Sequence, residues 1–329
     1  MTLVSRLSTL LIVLLLAGCS QEKVQVIEGS IYGTTYSVQF TENIDKEEIH
    51  TLVKAELDRI DMVFSTYKED SMISKFNRLE CDLSSCASEE FLDLFWLSDE
   101  IHDKSNGAFD PFGFGPPHWF DISRTYNYED YLLCIPIDEV GSNSEEECFM
   151  SYSSAEEHYD DRMVTLIWDL ESFDRALLDF SAIGKGYAVD RISALIFENG
   201  ISNYFIDIGG EVSVNGTKFG EPWTWGVNNP FDLNSGAYRA FNAPQSGISI
   251  ATSGEYRNPG HIWGKGPKDA VSITVIGENT TEADAWATAM YVLGVEEGLE
   301  IAEKEGLAVF FIKNDGKSVN SSEWSKIYP

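Results

Sequence analysis

The sequence predicts an α+β fold, with α/β as the neighbouring class: one domain whose mixed, mostly antiparallel sheet carries flanking helices. Three observations predict it. Segments with two-residue apolar alternation are interleaved with segments of helical spacing. Strand-like runs near 203–208, 212–215, 223–228, 247–252 and 271–276 follow one another in series. No internal repeat is visible, and 329 residues less a leader can bury one large core or two small ones.

In chain order, residues 20–30 read as a short linker and 31–40 alternate as a strand. Residues 46–63 form an amphipathic helix with Leu52, Val53, Leu57 and Ile60 on one face. Residues 88–104 form another, with Phe91, Leu94, Phe95 and Ile101 inward. The stretch 112–172 is less regular. It holds Pro116-Pro117, the acidic runs 145–147 and 156–157 and many tyrosines, and is expected to carry an insertion. From Ala176 the pattern recovers as strand, turn, helix 184–199 and the strand series. Helices follow at 281–293 and 295–305, and a last strand at 307–312.

The first residues bear on location. Arg6 precedes an apolar run, Leu7 to Leu16, that is too short to span a bilayer. It ends in Leu16-Ala-Gly-Cys19, the pattern of a bacterial lipobox. The expectation is a signal peptide over 1–18, lipid on the Cys19 sulfur, a tether over 19–30 and a periplasm-facing domain over 31–329. An ordinary secretory signal with a chance cysteine is the alternative. Ser20 leans towards the outer membrane. The remaining cysteines, Cys81, Cys86, Cys134 and Cys148, allow three disulfide pairings. They lack the short spacing of a zinc site.

Acidic residues outnumber basic ones 54 to 23, a formal charge of −31. That argues against nucleic acid and anionic lipid surfaces as partners. A phosphate-bearing ligand would need a local exception.

Asp179-Phe-Ser-Ala-Ile-Gly-Lys-Gly-Tyr-Ala-Val-Asp190 is the first candidate for one. Gly184 and Gly186 would let backbone approach a ligand. Lys185 would bring a positive charge, and amides at the start of the next helix would add to it. The spacing is not that of a Walker A loop, and a surface turn with a solvated lysine is the alternative. The second candidate is Thr281-Glu-Ala-Asp-Ala-Trp-Ala-Thr288. Asp284 and Thr288 are four apart, so a helix puts both on one face. A carboxylate, a hydroxyl and free carbonyls are the hard donors that Mg2+ takes. The alternative makes Thr281 and Asp284 only cap and first-turn residues.

Together and in this order the two segments resemble the ApbE family, the FAD:protein FMN transferases. Gly33-Thr-Thr-Tyr36, Phe64-Ser-Thr-Tyr67 with Ser71-Met-Ile-Ser-Lys-Phe-Asn77, Gly107-Ala-Phe-Asp-Pro111, Phe205-Ile-Asp-Ile-Gly-Gly-Glu211 and Ala251-Thr-Ser-Gly-Glu-Tyr256 match further family motifs. The resemblance spans most of 25–313.

It implies a single ApbE-like α+β domain that moves FMN from FAD to a Thr or Ser hydroxyl of a target protein, with Mg2+, releasing AMP. Mg2+ would be held by the Ala182 and Ala287 carbonyls, the Asp284 carboxylate and the Thr288 hydroxyl. Asp179 and Lys185 would contact FAD. Tyr32, Tyr67, Phe109, Asp110, Pro111 and Ile262 would line the flavin or adenine pocket; core packing is the alternative for Tyr67 and Phe109. Lys185 would stabilise charge in transfer, and His261 would act as base or orient the acceptor. The implied acceptor is a subunit of a respiratory or electron-transfer complex. The chain also departs from the pattern. After His261-Ile262 it reads Trp-Gly-Lys-Gly-Pro-Lys where the family has x-D-P-x-T-G-x-P, which puts Gly264 at the Asp position. Gly184 replaces the commoner Ala, and the run after Pro111 is altered. Two other readings therefore stand beside transfer: an FAD pyrophosphatase that yields FMN and AMP, and a flavin-binding lipoprotein without turnover.

Overall fold

Most strand-forming sequence is gathered into one eight-stranded sheet. The computed structural model describes residues 23–78, 80, 88–111 and 177–329, with the backbone of 133–134 and 165–166. The expectations for the leader, Cys19, the four other cysteine side chains and nearly all of 112–172 lie outside the described residues. Within that stretch, Leu133–Cys134 pairs antiparallel with Thr165–Leu166.

Strands β1 (Gln25–Ile31) and β2 (Thr34–Phe40) lead to helices α1 (Lys46–Phe64), α2 (Met72–Asn77) and α3 (Glu89–Lys104). Helix α4 (Gly184–Glu198) precedes β3 (Tyr204–Ile208), β4 (Glu211–Asn215), β5 (Thr224–Asn228), β6 (Ala237–Asn242), β7 (Ile248–Ser253) and β8 (Ala270–Gly277). Helix α5 (Thr280–Glu305), β9 (Ala308–Lys313), β10 (Ser318–Asn320) and α6 (Ser322–Ile327) complete the chain. The sheet order is β1-β2-β3-β4-β7-β8-β9-β10, and every neighbouring pair is antiparallel. Hairpin β5–β6 stands apart as its own two-stranded unit.

Strand β9 shows why both faces of the sheet are covered. Val309 and Phe311 point into the helix-side core with Val38, Ile206 and Val275. Ala308, Phe310 and Ile312 point into a second core with Val212 and Val214. Successive side chains leave a strand on opposite faces, so an unbroken apolar run needs a layer on each. Helices α1, α4 and α5 supply one. Hairpin β5–β6 and α6 supply the other through an aromatic cluster in which Trp324 stacks on Phe310 at 5.1 Å and Trp225 on Phe241 at 4.8 Å. Each such buried ring contributes about 1.5–3 kcal/mol.

Two boundaries differ from the sequence reading. The tether expected through residue 30 ends earlier, because Gln25–Ile31 is strand β1. Only Ile27 of its seven residues is buried, so its own periodicity is faint. A two-residue turn at Tyr32 and Gly33, both at positive φ (52° and 73°), folds it onto β2. The helices expected at 281–293 and 295–305 form one element interrupted at Gly294, whose φ of 77° and ψ of −172° are not helical. A side chain at Gly294 would lie 2.3 Å from Pro267 and 2.8 Å from Asp269.

Candidate active site

The beginnings of α4 and α5 are packed against each other, and each helix caps the other. Helix α4 starts after Ile183, which offers no capping side chain. Instead the Gly186 amide donates to Oδ2 of Asp284 on α5 at 2.9 Å. Helix α5 has Asn279 as its own cap, accepting from the Glu282 amide. Asp190 on α4 adds to it, accepting the amides of Thr280 (2.9 Å) and Thr281 (2.8 Å) and the Thr281 hydroxyl (2.5 Å). A carboxylate at a helix N-terminus meets orphan amides and the positive end of the dipole.

This contact also explains the Gly-Lys-Gly sequence. A Cβ on Gly186 would sit 2.3 Å from the Thr280 carbonyl oxygen and 2.8 Å from Asp284 Cβ. That glycine admits a neighbouring helix, not a ligand as the sequence suggested. Gly184 faces open space.

Lys185, between them, is not the solvated surface lysine of the alternative reading. Its ammonium lies 2.8 Å from Glu211 Oε1 and 3.3 and 3.4 Å from the Asp284 oxygens. Burial alone would lower its pKa, but Asp284 and Glu211 outweigh burial and hold it charged. Asp284 is 2% exposed. Burial, followed by the neighbouring Lys185 charge in the opposite sense and Glu211 in the same sense, leaves its carboxyl raised. Glu211 is 3% exposed, and its Oε2 has no hydrogen-bond partner.

Asp284 therefore is neither a cap nor a first-turn surface residue of its own helix. Thr288, one turn on, has its hydroxyl 3.2 Å from Ser253 Oγ on β7. Ala287 is fully buried inside α5, where a carbonyl ordinarily accepts the amide four residues on, so only its second lone pair could face a cation. Ala182 lies in the turn before α4. Among the described residues no group of three or more His, Cys, Asp or Glu side chains is arranged for a metal. A cation here would rest on one carboxylate, a hydroxyl and main-chain carbonyls. That hard-oxygen set, beside an orphaned carboxylate oxygen, fits Mg2+.

The approach to α4 is braced from two sides. Asn77 donates to the Leu178 carbonyl at 2.8 Å and accepts its amide at 2.9 Å. The Pro111 carbonyl accepts the Asp179 amide at 2.8 Å. Asp179 then bends the chain by accepting the Ser181 amide at 2.8 Å. Pro111 and Asp179 are thus brought together. Asp110 beside them is exposed. Phe109 is 2% exposed and its ring packs in the helix-side core, the alternative named for it above. Its amide is held by Ser105 Oγ at 3.0 Å. Tyr67 is the reverse case, 94% exposed and therefore not core.

Tyr32 sits in the β1–β2 turn with its hydroxyl donating to the Leu57 carbonyl at 3.0 Å. That turn adjoins the Gly209-Gly210 turn that leads to Glu211, since the Gly209 amide donates to the Thr35 carbonyl at 3.1 Å.

His261 is exposed, and its Nδ1 donates to the Asn258 carbonyl at 2.5 Å. A carbonyl can only accept, so the neutral ring keeps the lone pair on Nε2. Ile262 packs against the helix-side core and lines a shallow cavity with Trp263, Gly264 and Tyr291. Glu255 anchors the same loop: it accepts the Ile262 amide at 3.3 Å, Lys268 Nζ at 3.1 Å and the Tyr291 hydroxyl at 3.2 Å. Gly264 and Gly266 lie against Val292, where a Cβ would approach to 2.5 and 1.4 Å.

Sequence reasoning missed Glu211, Asp190 and Glu255 as working residues, although all three stand inside matched motifs. The available signal was a carboxylate at the end of each: after Gly-Gly, after the Lys185 turn, and after Thr-Ser-Gly.

The ApbE family model matches residues 32–311. The FAD:protein FMN transferase of Escherichia coli (strain K12) is 29% identical over 95% of this chain and 93% of its own length. That of Salmonella typhimurium LT2 is 29% identical over 89% and 85%. The apo flavinyl transferase ApbE of Pseudomonas stutzeri superimposes with a TM-score of 0.70 at 26% identity, covering 94% of this chain and 99% of that one. The ApbE protein of Thermotoga maritima superimposes with a TM-score of 0.70 at 21% identity over 93% and 100%, a likeness of fold alone.

Proposed function

This chain belongs to the ApbE family, and from that premise we propose that it transfers FMN from FAD to a Thr or Ser hydroxyl of a target protein, releasing AMP. The observation that carries the reading is the convergence of half-buried Lys185 and buried Asp284, 99 residues apart in sequence, in one cluster. Asp284, Thr288 and the Ala182 and Ala287 carbonyls are the residues that would hold Mg2+. Bound there, Mg2+ supplies charge neutralisation for the pyrophosphate and the leaving phosphate.

The chain's own residues do the rest. Lys185 holds a positive charge beside the pyrophosphate and stabilises what develops on it. The acceptor hydroxyl attacks the phosphorus on the flavin side and forms a P–O bond. The pyrophosphate P–O bond breaks, AMP takes the electron pair, and the hydroxyl proton goes to His261 Nε2. Tyr67, exposed in the turn after α1, and Tyr32 in its turn offer rings for the flavin or adenine, and Asp179 and Asp110 offer acceptors.

The loop that carries His261 favours one second reading. With Gly264 where the family has Asp, and Gly264 and Gly266 laid against Val292, the acceptor side is altered, and water could replace the hydroxyl to give FMN and AMP. We also infer a lipid-anchored, periplasm-facing protein from the Cys19 pattern, with an acceptor from a respiratory or electron-transfer complex. Among the described residues no helix is long and apolar enough to cross a membrane.

The test is incubation with FAD and Mg2+, with and without a peptide bearing an acceptor Thr. AMP together with flavin-labelled peptide is the expected result. AMP with free FMN would establish the hydrolytic reading, and intact FAD would sink both. Asp284→Ala should abolish product formation in either case, a loss on the order of a hundredfold or more.

A further inference from the structure

We propose that Glu211 is the positioning residue for Lys185, holding the ammonium in place when a divalent cation occupies Asp284, so that Lys185 keeps its nearer partner when the cation takes the other. The proposal rests on the reading of Asp284 as the cation ligand.

Three observations carry it. Lys185 Nζ is 2.8 Å from Glu211 but 3.3 and 3.4 Å from Asp284, so the shorter contact is to the acid that the cation does not need. Glu211 is 3% exposed with Oε2 unpartnered. A buried carboxylate so poorly satisfied is costly unless positive charge stays beside it. The third is charge. With both acids ionised the trio carries −1. A dication on Asp284 takes it to +1 with Glu211 present and to +2 without it.

Glu211 owes its place to the hairpin turn before β4. Gly209 and Gly210 have φ of 72° and 111°, and the turn delivers the first residue of β4 to the start of α4. In Glu211→Gln the remaining carboxylate within reach of Lys185 is Asp284. The cation would then have to evict the ammonium and leave it half-buried and unpaired beside a dication.

Thermal unfolding of the full-length chain, followed against MgCl2 concentration, reads cation affinity without turnover. Glu211→Gln should raise the half-saturating Mg2+ concentration about tenfold or more. Lys185→Met, which removes the competitor and leaves Glu211 intact, should lower it. In the Lys185→Met background, Glu211→Gln should change it less than about twofold, because its effect runs through Lys185.

An equal effect of Glu211→Gln in both backgrounds would mean that it acts by charge alone, and would overturn the proposal. So would unchanged or weaker binding in Lys185→Met, an arm that does not depend on how Glu211→Gln folds. If Mg2+ does not shift the wild-type chain at all, the metal reading and the proposal fall together. A wild-type shift that Glu211→Gln leaves unaltered removes the proposal alone.

Discussion

Single carboxylates do unequal work in this chain, and their surroundings decide which. Asp190 accepts three hydrogen bonds from the start of α5, and Asp284 accepts one from the start of α4 while facing Lys185. Asp190→Ala should therefore cost about 1–2 kcal/mol of stability by denaturant titration. Thr281→Val, which removes the hydroxyl donor but keeps the amide, should cost less. Phe109 and Tyr67 show the limit of reading residues from motifs. Both sit in matched motifs as cofactor-lining rings, yet one is sealed in the core and the other almost wholly exposed. Nothing within either motif distinguishes these outcomes, because exposure depends on which distant segments pack nearby.

At the level of elements, the reciprocal capping of α4 and α5 holds the site together. Their close approach is possible only where glycine stands. Gly186→Ala forces a methyl group against the Thr280 carbonyl and should destabilise the fold by about 1–3 kcal/mol. It should also separate Lys185 from Asp284, so activity should fall further than the stability loss accounts for. Gly294→Ala combines a positive φ with contact to Pro267 and Asp269. It should cost more than about 1 kcal/mol, measured by the shift in thermal midpoint. Asp269 Oδ1 accepts the Val295 amide at 3.0 Å, so the second half of α5 restarts on a borrowed cap.

The helices α1, α3, α4 and α5 and the strands β3, β4, β5, β7, β8 and β9 were legible in the sequence to within a residue or two, including the break at 294, because each carries its own apolar period; β1 reads as linker and β2 begins three residues later than expected. Strand β6 was not legible, since Phe241 is its one buried residue. Nor was α6, which is anchored through the single buried Trp324. Elements that depend on a partner's surface leave little periodic trace.

Across the whole molecule, acidity is used structurally. Glu42 joins the end of β2 to the turn before β3, accepting the Ser202 amide at 2.8 Å and the Asn203 amide and side-chain nitrogen at 2.9 Å each. Glu56 and Glu90 join α1, α3 and α4 through Arg59, Arg191 and Tyr187. Burial pushes Glu42 up, but these donors outweigh it and leave its pKa below the ordinary 4.5. Arg59 leads in lowering Glu56, and at Glu90 the pull of Arg59 and Tyr187 outweighs burial. A folded-state pKa below the unfolded value gives stability that is present above about pH 4.5 and lost as pH falls through the lower value. The thermal midpoint should thus decline below about pH 4.5, and Glu42→Gln should lower it at neutral pH while flattening that acid limb.

The sequence alone determined the α+β class with α/β beside it, most of the succession of strands and helices, and the family. Each of these is written in local periodicity or in short contiguous motifs. The tertiary structure alone decided that the sheet is antiparallel at every junction, that Gly186 admits a helix, and that Glu211 shares Lys185 with Asp284. Those facts join residues as far apart as Tyr36 and Ile208, or Lys185 and Asp284. Pairing over such distances is set by which buried surfaces and buried charges can be satisfied together, and no segment carries that information by itself.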